Sequence, residues 1–179
     1  AGTGTGKTLA YLIPAVGLAK VTGRPVILST STIPLQQQVV EKDLPLLAQA
    51  WPEPVRVALA KGRSNYACLR KVEDGLAQLS LFGSEGELLR WVRETDAGGD
   101  LRYLPPSLRA EAHRIAGDET CTANQCPYFG PCFYFRARRA WEEADLIVCN
   151  HALLVADLVQ RRAGKGILPE PAAGIIDEA

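Results

Sequence analysis

The first eight residues, Ala1-Gly2-Thr3-Gly4-Thr5-Gly6-Lys7-Thr8, constrain the fold more than any other stretch of the chain. Glycine at alternate positions lets a backbone curl until successive N–H groups point into one concavity. Gly-Lys-Thr running into apolar residues at helical spacing adds the positive end of a helix to that concavity. The combination fits the relaxed form of the Walker A phosphate loop, with Ala1 where the stricter pattern has glycine. In such a loop Gly2, Thr3, Gly4, Thr5 and Gly6 cradle the phosphates of a nucleoside triphosphate and Lys7 neutralises the β and γ phosphates. Thr8 sets its hydroxyl on the magnesium ion that bridges them. Alternating glycines also occur in dinucleotide folds and in chance Gly/Thr-rich turns, but lysine and threonine at the helix entry favour the triphosphate.

The rest of the chain supplies the sheet that such a loop needs. Leu9, Leu12, Ile13 and Val16 recur at helical spacing, with Pro14 an expected kink, and Val26-Ile27-Leu28 reads as a buried strand. Pro34 opens a second helix with Leu35, Val39, Leu44 and Leu47 on its apolar face, its end blurred by Pro45, and Val55–Leu59 follows as a strand. The order is repeated late in the chain, with a strand at Leu146–Cys149, a helix at Ala152–Gln160 and a strand at Gly174–Ile176. Strands alternating with helices predict an α/β domain built on a parallel sheet with helices on both faces. Residues 61–141 interrupt the alternation with four cysteines and Gly98-Gly99, Pro105-Pro106 and Gly117 as breakers, so they read as an insertion. The domain would then comprise 1–60 and 142–179.

The last strand delivers two adjacent carboxylates. Asp177 would hold the magnesium ion and Glu178 would polarise the attacking water. Acidic residues at strand ends are usually just solvated, so the pair gains meaning from the loop at the other end of the same domain. Lys7, Asp177 and Glu178 are thus the expected catalytic set.

Composition narrows the partners less. A hydrophobic content of 47% suits one soluble globular domain with a sizeable core. No apolar run approaches the ~20 residues that span a bilayer. The formal net charge is zero, so a nucleic-acid partner has to be sought in local patches. Lys61, Arg63, Arg70 and Lys71 surround Tyr66 without an intervening acid. A second cluster, Phe133, Tyr134, Phe135, Arg136, Arg138 and Arg139, follows the last cysteine of the insertion. Basic groups interleaved with aromatics suit a groove that tracks phosphates and stacks bases, and equally suit a solvated helix face with the aromatics turned inward. Phe133 and Phe135 are expected in the core. His113 reads as a surface residue, and His151 opens a helix without an assigned role. The chain opens directly on the loop and stops just past two carboxylates, so both ends read as cuts through a longer protein.

The five cysteines are an odd number, and without an export signal they point to metal ligation or burial rather than bridging. Cys121, Cys126 and Cys132 are separated by intervals that let short loops stiffened by Pro127 and Pro131 wrap one centre, while Cys68 stands apart from them. Spacing does not choose between zinc, a cluster and no metal. Cys149, inside an apolar run, is expected to be buried.

The motifs together resemble those of the DinG/YoaA-type, XPD-like iron–sulfur helicases of superfamily 2. The phosphate loop followed by Leu28-Ser29-Thr30-Ser31-Thr32-Ile33-Pro34-Leu35-Gln36-Gln37-Gln38 is similar to their motifs I and Ia. Lys61-Gly62-Arg63-Ser64-Asn65-Tyr66-Ala67-Cys68 is similar to the segment carrying their first cluster cysteine. Ala144-Asp145-Leu146-Ile147-Val148-Cys149-Asn150-His151-Ala152-Leu153-Leu154 resembles the strand and helix entry after the cluster, and Asp177-Glu178-Ala179 looks like a DEAH box cut before its histidine. The resemblance implies a RecA-like motor domain with an inserted iron–sulfur domain, a [4Fe–4S] cluster on Cys68, Cys121, Cys126 and Cys132, and ATP and Mg2+ as cofactors. It implies an ATP-dependent DNA helicase, 5'-3' in direction, cytoplasmic and nucleoid-associated in bacteria, acting in repair or replication. Single-stranded, forked or duplex DNA would be the partner, with Ser29, Thr30, Arg63 and Tyr66 among the DNA contacts. A second RecA-like lobe, absent from these residues, would be required. The alternative of another class is a metal-cluster DNA-binding or redox-sensing module with a vestigial ATP site. A P-loop kinase fits the cysteines and the DEAH-like end poorly.

Overall fold

The computed structural model describes residues 7–31, 33–79 and 85–177. The chain divides into two compact units, one of Ala1–Lys61 with Arg139–Ala179 and one of Gly62–Arg138.

In the first unit, α1 (Lys7–Thr22) leads to β1 (Val26–Thr30). Pro14 lies inside α1, which the helix tolerates without ending there. The second expected helix is two, α2 (Ile33–Gln38) and α3 (Leu44–Ala50), separated by a π-helical turn over Val39–Asp43 in which the Leu44 N–H reaches the Val39 carbonyl. The reason is Pro45, which has no N–H to give and whose ring would crowd a regular helix behind it. Placed in the first turn of α3, it falls where helices accept proline. A short β2 (Val57–Leu59) follows.

The second unit is built from α4 (Leu69–Leu79), α5 (Glu85–Glu94), the short α6 (Ala112–Ile115) and the start of α7 (Phe133–Glu142). Val72, Leu88, Leu104, Leu108 and Ile115 form its interior, joined by Tyr66, Phe133 and Tyr134. Gly99 has φ +74, and a Cβ there would lie 2.2 Å from Phe133, so this position needs glycine both for its backbone and for its space. Phe133 is buried, as expected.

The chain then enters β3 (Leu146–Asn150), α8 (His151–Arg162) and β4 (Ala173–Ile176). The four strands form a parallel sheet in the order β2-β3-β1-β4. β1 is the partner of both β3 and β4 and is buried along its whole length, which is why its first residues form a continuous apolar run instead of alternating. Val26 and Leu28 with Leu146 and Val148 face Leu12, Ala15, Val16 and Ala19 of α1. The alternate residues, among them Ile27, Ser29, Ile147 and Cys149, lie on the opposite face, where α8 contributes Leu153, Leu154 and Asp157.

Two carboxylates tie this unit together. Asp145 accepts from Lys20 Nζ (3.0 Å) and the Arg56 N–H (2.7 Å), linking the ends of α1, β2 and β3. Burial alone would push the Asp145 carboxyl up, but the Arg56 N–H and the Lys20 ammonium outweigh it and hold it below its ordinary value. Asp157 of α8 accepts from the Ile167 N–H (2.6 Å), the Leu168 N–H (2.8 Å) and Arg161 Nε (2.6 Å). Arg161 in turn donates to the carbonyls of Leu168 and Pro169, so the loop that feeds β4 is clasped to α8. No helix of the described residues is long and apolar enough to cross a membrane.

Candidate functional site

Parallel sheets of this kind offer ligand sites beyond the carboxyl ends of their strands, where the connections diverge to the two sides. At that edge β1 ends in Ser29-Thr30, β3 in Asn150 and β4 leads to Asp177. The Asp177 N–H donates to the Ser29 carbonyl at 2.9 Å, one bond past the end of β4, so the carboxylate is carried on a backbone fixed to the central strand. Asp177 Oδ2 accepts from the Tyr11 hydroxyl at 2.9 Å. Tyr11 lies one helical turn beyond Thr8 on α1, and its oxygen also takes a hydrogen bond from the Thr8 side chain. Burial, partly opposed by Thr8 and reinforced by Asp177, pushes the Tyr11 phenol up to about 12, so it stays a neutral donor across the physiological range. Thr8 and Asp177, the two expected magnesium contacts, therefore meet through one phenol. Gly2, Thr3, Gly4, Thr5, Gly6, Glu178 and the side chain of Lys7 lie outside the described residues.

Three of the four expected DNA contacts are buried, and the fourth, Arg63, is half-buried. Ser29 and Thr30 have no exposed surface and Tyr66 is 6% exposed, so none of the three presents its side chain to a strand of DNA. Ser29 lies at the centre of a fully packed sheet, and its hydroxyl meets His151 Nδ1 at 2.7 Å and the Cys149 thiol. Tyr66 packs tilted against Tyr134 with ring centroids 5.9 Å apart, and burial, with Asp100 and Tyr134 nearby, pushes its phenol far up. Arg63 donates to the Asp118 carbonyl at 2.8 Å and lies 5.4 Å over the Tyr134 ring. Arg70 reaches the Thr120 hydroxyl at 3.0 Å and Lys71 the Asp118 carboxylate at 2.6 Å. The bond from Lys71, aided by Thr120, holds that carboxylate well below the usual range. Three members of the first basic cluster thus grip residues 118–120, immediately before Cys121. In the sequence they looked like a phosphate track because their partners are some fifty residues away.

His151 is the first residue of α8, which is capped by the Asn150 side chain accepting from the Leu153 N–H at 2.8 Å. Its Nε2 is buried without a partner among the described residues. Cys149 is wholly buried, and that burial, eased by Ser29, pushes its thiol up to about 11.

Cys68, Cys121, Cys126 and Cys132 are all free and half-buried within the second unit. Cys132 stands at the entry to α7, where burial raises its thiol and the N–H groups of Phe135 and Tyr134 work against that rise. Cys121 and Cys68 lie near enough to Cys132 to raise it further by charge repulsion. Among the described residues, no three His, Cys, Asp or Glu side chains come close enough to hold a single metal ion.

Of the residues that organise this site, Tyr11, Asn150, His151 and Asp157 were not assigned roles from the sequence. Tyr11 could have been found, because three residues beyond a phosphate-loop threonine is the same helix face. Asp157 gave no signal, since its partners are backbone N–H groups.

Comparison with known proteins bears on the same region. Residues 1–119 match the family model described as DEAD/DEAH box helicase. The chain is 38% identical over 203 residues to an "ATP-dependent helicase DinG" of Mycobacterium tuberculosis, covering all of this chain and 30% of that protein. It is 38% identical over 191 residues to the "ATP-dependent DNA helicase YoaA" of Escherichia coli, covering all of this chain and 29% of that protein. It is also 38% identical over 181 residues to the "3'-5' exonuclease DinG" of Bacillus subtilis, covering 98% of this chain and 19% of that protein. The chain spans less than a third of the length of these curated relatives. A phosphate-loop sequence opening α1, an aspartate delivered by the strand beside the central one, and this match over most of the chain lead to one assignment: the chain belongs to the DEAD/DEAH box helicase family.

Proposed function

We propose that the chain carries the nucleotide-binding lobe of an ATP-dependent DNA helicase of the DinG/YoaA type, with a [4Fe–4S] cluster on Cys68, Cys121, Cys126 and Cys132. The observation that carries the reading is the meeting of Thr8 and Asp177 on the Tyr11 hydroxyl, which brings together the two ends of the chain that the hydrolysis site requires. In this reading the amides of Gly2 to Gly6 hold the phosphates and Lys7 neutralises charge at the β–γ bridge. Thr8 and Asp177 hold the magnesium ion, whose bound charge would offset the negative charge of the transferring group. Glu178 takes a proton as water attacks the γ phosphorus. The bond to the bridging oxygen breaks, leaving ADP and inorganic phosphate.

The four cysteines form an all-thiol donor set in one unit, the ligand type that iron–sulfur clusters take, with Cys68 and Cys121 near Cys132. When bound, the cluster would cross-link the segments that carry the four thiolates. DNA contact falls to backbone groups at the end of β1 and to exposed arginines such as Arg136 and Arg139, with Ser29 and Thr30 stiffening the strand behind them. Travel in the 5'-3' direction, action on forked or duplex DNA in repair, and the need for a second RecA-like lobe rest on the resemblance alone.

The test is ATP hydrolysis by the full-length protein with and without single-stranded DNA. Stimulation by DNA that is abolished by Lys7→Ala is the expected result. Unstimulated hydrolysis, or near-normal turnover in the variant, would overturn the motor reading. DNA binding without hydrolysis would favour a cluster module with a vestigial ATP site.

A further inference from the structure

We infer that Tyr11 is a positioning residue for the magnesium site, acting through the Asp177 carboxylate. The inference rests on the reading of Thr8 and Asp177 as magnesium contacts. A carboxylate on a metal ion has two oxygens and about four lone-pair directions, and left alone it rotates about its last bond. Magnesium tolerates little of that freedom, because it requires near-ideal octahedral geometry and keeps several of its waters. The Tyr11 hydroxyl donates to Asp177 Oδ2 at 2.9 Å, which occupies one of those directions and fixes the plane of the carboxylate. The backbone is fixed independently by the bond from the Asp177 N–H to the Ser29 carbonyl. The Thr8 side chain hydrogen-bonds the same phenol, so it too is tied into the arrangement.

Each group has one free function left. A phenol that accepts from Thr8 and donates to Asp177 leaves Oδ1 and the lone pairs of the threonine oxygen unclaimed by it, and these are the atoms a metal ion takes. The phenol itself remains outside the ligand set. Hydrogen-bonding partners of metal ligands of this kind typically change metal affinity or activity by about 10–100-fold when removed. The ring adds a second constraint. Tyr11 packs against the core beneath α1, so its hydroxyl is held at a fixed height above the sheet.

The experiment compares full-length protein with its Tyr11→Phe variant, which keeps the ring and loses the hydroxyl. Binding of a fluorescent, non-hydrolysable ATP analogue is titrated at several Mg2+ concentrations and in EDTA. The expected result is a rise of at least about tenfold in the Mg2+ needed for half-maximal binding, with the metal-free affinity unchanged and the ligand-free protein still unfolding cooperatively. In an Asp177→Asn background the same change should have no further effect, because the residue acts through that carboxylate. An unchanged Mg2+ requirement, an equal loss with and without metal, or an additive effect with Asp177→Asn would overturn the inference. Undiminished analogue binding by Lys7→Ala would show instead that the underlying reading of the phosphate site had failed.

Discussion

Replacing Asp157 by alanine should loosen the strand that delivers Asp177, although the two residues do not touch. Asp157 is 1% exposed, and its carboxylate accepts from the N–H groups of Ile167 and Leu168 at 2.6 and 2.8 Å. Hydrogen bonds to a charged acceptor contribute about 1.5–3 kcal/mol each, so the pair amounts to about 3–6 kcal/mol. The ion pair with Arg161, whose side chain is 23% exposed, adds under about 1 kcal/mol. With ~1.4 kcal/mol per factor of ten, the lower figure alone predicts about a hundredfold faster opening of the 167–176 segment. Hydrogen exchange read by mass spectrometry over Leu168 and Ala173–Ile176 measures it directly in the full-length protein. Asp157→Asn should do less harm, because its carbonyl oxygen can still accept from both N–H groups while its amide faces Arg161. A change of less than about threefold in the alanine variant, or an asparagine variant as damaged as the alanine one, would refute the clasp.

Asp145→Asn should cost about 1–3 kcal/mol at neutral pH, since a buried acceptor loses its charge beside Lys20 and the Arg56 N–H. The folded carboxyl titrates below its unfolded value, so its contribution is complete above the ordinary value of about 3.9 and disappears as pH falls through the folded one. Urea midpoints of the two proteins should therefore converge in acid, and a constant gap would contradict the assignment. Full-length protein purified without oxygen should be brown, with broad absorption near ~400 nm and about four iron atoms per chain. Serine at Cys68, Cys121, Cys126 or Cys132 should remove that signal and serine at Cys149 should leave it. Colourless protein with one equivalent of zinc would refute the cluster.

The sequence by itself carried those features whose cause is local. A phosphate loop is legible because its glycines and Gly-Lys-Thr act within eight residues, and β1 and β3 are legible because strands buried on both faces must be continuously apolar. The proline-driven turn between α2 and α3 was half legible, as a helix with an uncertain end. Tertiary structure decided everything whose partner is remote in the chain. Ser29 and Thr30 look like polar residues poised for a ligand, yet elements packed on the two faces of the sheet remove them from solvent, and Ser29 meets His151. Arg63, Arg70 and Lys71 form a basic run that reads as a phosphate track until the chain returns residues 118–120 to hydrogen-bond all three, with Asp118 pairing Lys71. Tyr11 and Asp157 follow the same rule. One bridges 166 residues to Asp177, and the local sequence shows only that it shares a helix face with Thr8; the other gathers N–H groups that any residue type could have supplied. Side-chain chemistry is written in the sequence, but which charge meets which acceptor is set by the path of the backbone between them.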